Sequence, residues 1–369
     1  MRIGVPKEIK DKENRVALIP SGVSELVSRG HEVVIEDHAG EGSGFSNDDY
    51  MTSGAGIVST AKAWDQELVL KIKEPLQAEY QYLKDNILFT YLHLAGVDPS
   101  LTDALLNAGT LAVAYETVED ENGNLPLLAP MSAVAGNIAA NVGGYYLAKS
   151  NGGKGMQLGR VMGKSYGKAM VIGNGVVGQH AAHVLQSMGA RVLMYCRDQE
   201  SFDAMSFADP ASLEFVDSTP ETIAEHIVNS DLVIGAVLLA GARAPHVVTE
   251  DMVKSMQPGS VIVDVSIDQG GCIETSRPTS HSAPVYVLHD IFHYCVTNMP
   301  GAYPRTSTIV LTNTTLPYIL EITDNGVDIF KTDPGIGKGL NTFKGNITYQ
   351  PVAEALGYLN RYKTLAELF

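Results

Sequence analysis

The chain has 369 residues, 45% hydrophobic and 18% charged, which is more than one core comfortably holds and enough for about two domains. Lys plus Arg number 26 against 42 Asp plus Glu, and the formal net charge of −16 repels phosphate, excluding general affinity for nucleic acid or an anionic membrane. Cys196, Cys272 and Cys295 lie far apart with no CxxC, the start Met1-Arg2-Ile3-Gly4-Val5-Pro6 lacks an apolar signal core, and no run reaches the length of a membrane span. A soluble, reduced, cytoplasmic protein is therefore expected.

Residues 3–5 are a short apolar run, and 16–30 has helical spacing at Val23, Leu26 and Val27, closing on Gly30. Strands are expected at 32–35, 68–72, 87–91 and 110–115, with a helix at 99–108. Strands alternating with helices at this interval predict parallel βαβ units. From 131 to 150 the pattern is helical and rich in small residues, including Ala133, Ala135, Gly136, Ala139, Ala140, Gly143 and Gly144, until Asn151-Gly152-Gly153-Lys154-Gly155 breaks it. Such a helix lets other backbones come close and is read as a connector into a second domain.

Residues 168–198 are the clearest unit: a buried strand at 169–172, a glycine turn at 173–178, a helix at 178–188 and a second strand at 191–195. Further strands are expected at 232–237 and 261–267, and an apolar helix carrying Pro317 near 303–320. Residues 325–369 read as loops with a short terminal helix. The expected fold is α/β with two Rossmann-like doubly wound domains, one of them discontinuous. Residues 1–129 and 301–369 would form the substrate domain, and 130–300 the dinucleotide-binding domain.

Gly173-Asn174-Gly175-Val176-Val177-Gly178 is a G-x-G-x-x-G between a strand and a helix. Gly173 permits a tight turn, Gly175 lets the backbone approach a pyrophosphate, and Gly178 allows close helix–strand packing. The helix start offers free N–H groups to phosphates. Glycine turns also join strands to helices with no ligand, but here the strand before, the helix after and the second strand are all present. The second strand should end in an acidic residue for the ribose of NAD. Cys196 occupies that place, followed by Arg197, a cation able to pair with the 2′-phosphate of NADP. Alternatively Asp198 supplies the carboxylate and Arg197 faces solvent. NAD and NADP both remain open.

Four charged residues stand at or near expected element ends: Arg15 before an apolar run, Lys73 before Pro75, His93 after 88–92, and Asp268 after 261–267 and before Gln269-Gly270-Gly271. Singly they read as solvated cations, a structural histidine and a turn former. Together they suit hydride transfer to or from a small amino acid. Two cations would hold its carboxylate, with the arginine bidentate, and a base near neutrality would take and return protons. Their spacing alone does not require them to converge. His289 and His293 stand at i and i+4 without the zincin glutamate, so no metal is expected. His180 and His183 read as surface residues, Cys272 and Cys295 as packed thiols.

The ordered blocks Pro6-Lys7-Glu8, Asn14-Arg15-Val16-Ala17, 69–75, Phe89-Thr90-Tyr91-Leu92-His93-Leu94, Ala114-Tyr115-Glu116-Thr117 and 126–132 resemble those of the alanine dehydrogenases and the related transhydrogenase subunit. Ala135-Gly136, 152–155, the glycine turn, 230–236, 264–272, Ser276-Arg277-Pro278-Thr279 and Asn298-Met299-Pro300 continue the resemblance over nearly the whole chain. It implies reversible oxidative deamination of L-alanine to pyruvate and ammonia with a nicotinamide dinucleotide, in a homohexamer. It also implies Arg15 and Lys73 as substrate-binding, His93 as acid/base, and Asp268 as the second catalytic group. Ser132, Gly173, Gly175, Val176, Val177, Gly178, Cys196, Arg197, Ser218, Val237, Leu238, Val265, Ser266, Ile267, Asp268, Arg277, Asn298 and Met299 match dinucleotide-lining positions. The chain departs from the family at Cys196 (usually Asp), Ala133 (commonly Glu) and Asn137 (commonly Arg). Two other readings are an opine-type reductive aminase of pyruvate, and a transhydrogenase-like or nicotinamide-binding subunit without alanine chemistry.

Overall fold

The structure is a computed structural model that describes residues 1–203, 205, 212–237 and 244–369. It divides into two compact units, Met1–Pro130 with Gly301–Phe369, and Met131–Pro300.

The first unit is built on strands β1 (Arg2–Val5), β2 (Glu32–Glu36), β3 (Gly56–Val58), β4 (Leu68–Leu70), β5 (Ile87–Thr90) and β6 (Leu111–Ala114). They run parallel in the order β3-β2-β1-β4-β5-β6. Every residue of β4, β5 and β6 is buried, as in a parallel sheet covered on both faces. The direction of sheet growth reverses between β1 and β4, and the carboxyl ends of these two strands form the switch point where α/β sheets bind ligands.

Helix α1 (Pro20–Ser28) is shorter than the 16–30 pattern. A proline fits the first turn, where its missing N–H is no loss, so Pro20 sets the start. Residues 16–19 instead run buried into it, with the Tyr50 hydroxyl donating to the Leu18 carbonyl at 2.7 Å. Helix α2 (Pro99–Ala108) keeps its expected bounds, capped by Asp98 and ended by Gly109 at φ 73°.

Residues 325–369 are more ordered than the sequence pattern predicts. They hold the antiparallel strands Leu340–Phe343 and Asn346–Ile347, which extend the sheet beyond β6, and four short helices. Ile347, Val352 and Ala353 join the core around Trp64, Val69 and Leu88.

The second unit carries β7 (Lys168–Ile172), β8 (Arg191–Cys196), β9 (Leu213–Asp217), β10 (Leu232–Gly235), β11 (Val261–Asp264), β12 (Val285–Leu288) and β13 (Ile291–Tyr294). Their order is β9-β8-β7-β10-β11-β13-β12, with only β12 antiparallel, so the switch point lies between β7 and β10. The small-residue helix is α3 (Ala129–Leu147), and the helix after the glycine turn is α4 (Val176–Met188). A Cβ on Gly136 would lie 2.3 Å from the Val177 carbonyl oxygen of α4. Close approach of two backbones therefore explains that glycine.

One expectation fails locally. The 261–267 run stops as a strand at Asp264, and Val265–Gln269 winds into a 3₁₀ turn. The buried Asp264 carboxylate accepts the Ser266, Cys272 and Ile273 amides at 3.0, 3.0 and 3.2 Å, which curls the chain. His289 and His293 do not share a helix face: His289-Asp290 is the turn of the β12–β13 hairpin, at φ 53° and 61°. Among the described residues, no helix is long and apolar enough to cross a membrane.

Candidate active site

In the first unit, charged and aromatic residues crowd the carboxyl ends of β1, β4, β5 and β6. Arg15 is 2% exposed and forms a two-pronged pair with Glu13, Nε to Oε1 at 2.7 Å and Nη2 to Oε2 at 2.5 Å. Burial works to lower the guanidinium's pKa, but Glu13, with Tyr91 and Glu8 beyond it, holds it above the ordinary value. Glu13→Ala would remove a two-pronged partner from a buried guanidinium and is expected to cost about 3–5 kcal/mol in urea unfolding. A loss below about 1 kcal/mol would show that Arg15 does not depend on Glu13.

Lys73 is buried just beyond β4. Its segment is tied down by Glu8, whose Oε1 accepts the Ile72 amide at 2.6 Å and the Lys73 amide at 3.4 Å. The other oxygen of Glu8 takes the fully buried Lys71 ammonium at 3.1 Å, and Glu79 takes the same ammonium at 2.9 Å. The Thr90 hydroxyl donates to the Lys73 carbonyl at 3.0 Å.

His93 comes three residues after β5 ends and carries a left-handed φ of 49°. That conformation is uncommon for a non-glycine residue and needs support from its surroundings. Glu116 supplies it, accepting the His93 amide at 2.6 Å and the Leu92 amide at 3.2 Å. The imidazole lies flat on Tyr91, ring centres 5.7 Å apart and planes 1° apart, with Nδ1 3.9 Å from Glu116. Burial, together with Glu116 and against the pull of Arg15, raises the Tyr91 phenol's pKa, and the hydroxyl donates to the Leu127 carbonyl at 2.6 Å. Tyr91, stacked beside His93, and Glu8, which ties down the Lys73 backbone, both act electrostatically on Arg15.

Asp268 belongs to the second unit, exposed on the 3₁₀ turn after β11. The Asn298 amide donates to its two oxygens at 3.3 and 3.4 Å.

The glycine turn follows β7 at the switch point. A Cβ on Gly173, at φ 106°, would lie 2.4 Å from the Ala236 carbonyl oxygen, and one on Gly178 would lie 1.8 Å from the Gly173 oxygen. The fold demands both glycines. Gly175 differs, since its φ is −69° and, among the described residues, a Cβ there would meet nothing within 4 Å. Among the described residues the space over Gly175 is open, and no side chain caps the start of α4 at Val176 and Val177. That cradle fits a dinucleotide pyrophosphate against free N–H groups.

At the tip of β8 the Cys196 thiol is 1% exposed, and burial with the nearby Asp198 pushes its pKa up to about 11. Arg197 is exposed. Asp198 accepts the Ser201 amide at 2.7 Å at the start of the helix Gln199–Asp203. The Ser218 amide donates to the Cys196 carbonyl at 2.9 Å, placing Ser218 beside this tip. The Val237 carbonyl accepts the Ser266 hydroxyl at 2.8 Å, so these two adjoin at the ends of β10 and β11, with Val265 and Ile267 on the same turn. Asn298 has φ 61°, Met299 is buried, Ser132 is half-buried on α3, and Arg277 is exposed. Leu238 lies outside the described residues.

Sequence reasoning assigned no role to Glu8, Glu13, Tyr91, Glu116 or Asp264. Their only signal is a polar residue within a few places of a strand end, and partners up to 65 residues away decide what each does.

Two doubly wound sheets, one with an open glycine turn at its switch point, define an α/β protein of the dinucleotide-binding class. The sequence model described as alanine dehydrogenase/PNT, N-terminal domain, matches residues 4–135, and that of the C-terminal domain matches residues 139–350. The chain is 50% identical over 362 residues to an alanine dehydrogenase of Bacillus subtilis (strain 168), covering 97% of this chain and 95% of that protein. It is 47% identical over 371 residues to alanine dehydrogenase 2 of Staphylococcus aureus (strain USA300), covering 100% and 99%. A solved L-alanine dehydrogenase matches with a TM-score of 0.92 at 45% identity, covering 97% of this chain and 99% of that one. A transhydrogenase from Sinorhizobium meliloti shares the fold, with a TM-score of 0.80 at 23% identity over 95% and 99%. The chain belongs to the alanine dehydrogenase/PNT family.

Proposed function

We propose that the chain catalyses the reversible oxidative deamination of L-alanine to pyruvate and ammonia. The observation that carries this reading is that Arg15, Lys73 and His93 stand beyond the carboxyl ends of β1, β4 and β5 of one sheet, in a chain half identical to an alanine dehydrogenase. Arg15 and Lys73 hold the substrate carboxylate and screen its charge. His93 takes and returns the proton at the substrate nitrogen or at the attacking water. Asp268 orients that water and the leaving ammonia. A nicotinamide dinucleotide, when bound, accepts the hydride from the substrate Cα. Glycines 173, 175 and 178, Val176, Val177, Ser132, Cys196, Arg197, Ser218, Val237, Leu238, residues 265–268, Arg277, Asn298 and Met299 are the residues proposed to hold it. In this reading residues 1–129 and 301–369 serve the substrate, 130–300 serve the dinucleotide, and the protein is a cytoplasmic homohexamer.

A steady-state assay with L-alanine and either NAD or NADP tests the reading. Turnover with alanine, reversed by pyruvate and ammonia, is the expected result. Faster reaction of pyruvate with larger amines would favour an opine-type aminase, and tight dinucleotide binding without either reaction would favour a transhydrogenase-like subunit. The cofactor choice turns on β8. Cys196→Asp is expected to shift the kcat/KM ratio toward NAD by about tenfold, the worth of one hydrogen bond to a carboxylate. A wild type that already prefers NAD strongly would remove Arg197 from any role with a 2′-phosphate.

A further inference from the structure

Arg277 is an exposed cation with an aromatic seat and, among the described residues, no carboxylate paired with it. Its guanidinium carbon lies 4.2 Å from the centre of the Tyr286 ring. The backbone is pinned to the same residue: the Arg277 amide donates to the Tyr286 hydroxyl at 3.0 Å, and that hydroxyl donates to the Thr275 carbonyl at 2.7 Å. Tyr286 in turn stacks on His293, ring centres 4.9 Å apart and planes 13° apart, the two being directly paired across β12 and β13.

His293 is fully buried and locked at both nitrogens. Nδ1 lies 3.0 Å from the Ile291 carbonyl oxygen, which can only accept, so Nδ1 carries the proton, and Nε2 accepts the Thr275 hydroxyl at 2.8 Å. Burial lowers its pKa to about 4, so the ring is neutral near pH 7 and does not repel the guanidinium above. The stack stands beside the segments that carry Asn298 and Asp268, which the reading above gives to the dinucleotide. The Thr279 amide donates to the Cys295 carbonyl and the Thr297 amide to the Thr279 carbonyl, so the Arg277 segment follows the chain leaving β13 toward Asn298 and Asp268.

A guanidinium seated over a ring presents its donor fork to a planar or phosphate oxyanion with little entropy left to lose. We infer that Tyr286 and His293 are positioning residues that hold Arg277 against the phosphate-bearing backbone of the dinucleotide. This rests on the dinucleotide reading above.

The test titrates the full chain with NADH by fluorescence and with ADP-ribose by calorimetry, in wild type, Tyr286→Leu, Tyr286→Phe, His293→Leu, Arg277→Ala and the Arg277→Ala/Tyr286→Leu double variant. Tyr286→Leu is expected to weaken both ligands about fivefold, and Tyr286→Phe, which keeps the ring, by less than about twofold. His293→Leu should follow Tyr286→Leu in direction. In the Arg277→Ala background, Tyr286→Leu should add almost nothing, because its effect runs through the guanidinium. A merely structural tyrosine would lower the Tm and add its full loss in both backgrounds. Additive losses, or unchanged affinity in Tyr286→Leu, overturn the inference. A loss seen with NADH but not ADP-ribose overturns the phosphate assignment. Failure of the wild type to bind either ligand would instead sink the dinucleotide reading.

Discussion

His93→Ala and Asp268→Asn are each expected to lower kcat with L-alanine by about 10²–10⁴-fold, the usual worth of a positioned acid or base, while dinucleotide binding stays measurable. The surroundings of His93 make this a sharp test. Glu116 holds the amides of Leu92 and of the left-handed residue itself, and Tyr91 supports the ring face, so an alanine there removes the imidazole and leaves its scaffold in place. Asp268 is exposed and accepts the Asn298 amide, a bond that an asparagine side-chain oxygen can still accept. Each variant should therefore melt close to wild type. Undiminished turnover in either one would remove that residue from the chemistry.

Gly175→Val is expected to weaken dinucleotide binding about 100-fold, close to 2.7 kcal/mol, with little change in Tm. The reason is the contrast among the three glycines. Gly173 and Gly178 are required by the chain itself, since a Cβ at either would strike backbone. Gly175 has ordinary helix-entry dihedrals and, among the described residues, nothing within 4 Å of where its Cβ would stand, so the objection to a larger residue is expected from a ligand. Gly178→Ala should behave in the opposite way, lowering the melting temperature before any ligand is added, because its Cβ would lie 1.8 Å from a carbonyl oxygen. NADH titration paired with thermal melts separates the two cases. Unimpaired binding by Gly175→Val would mean that the phosphates pass elsewhere.

Features governed by neighbours in sequence were legible from the chain alone. Helix α2 shows its bounds in Asp98-Pro99 and Gly109, and the glycine turn declares the strand before it and the helix after it. Lys73 and His93 stand out because charges interrupt apolar runs. What stayed hidden depends on distant partners. Leu340–Phe343 is a strand because β6 offers it an edge, and the bend after β11 depends on a buried carboxylate collecting three amides. His289-Asp290 gives no warning of a hairpin, because that turn favours Asn or Gly. In the candidate site the cations were visible, whereas Glu8, Glu13 and Glu116, which hold them or their backbones, looked like ordinary surface acids.

The return of the chain to β6 has a consequence for synthesis. The Ala112 amide finds the Thr342 hydroxyl 230 residues later. At the usual rate of roughly 5–20 residues per second, on the order of ten to fifty seconds separate the two leaving the ribosome. Meanwhile the intervening unit, contiguous in sequence, can finish folding, while the opening half waits with an unsealed sheet margin open to wrong pairings. The unit begun first is thus completed last, and newly made chains should be most prone to clumping in that interval.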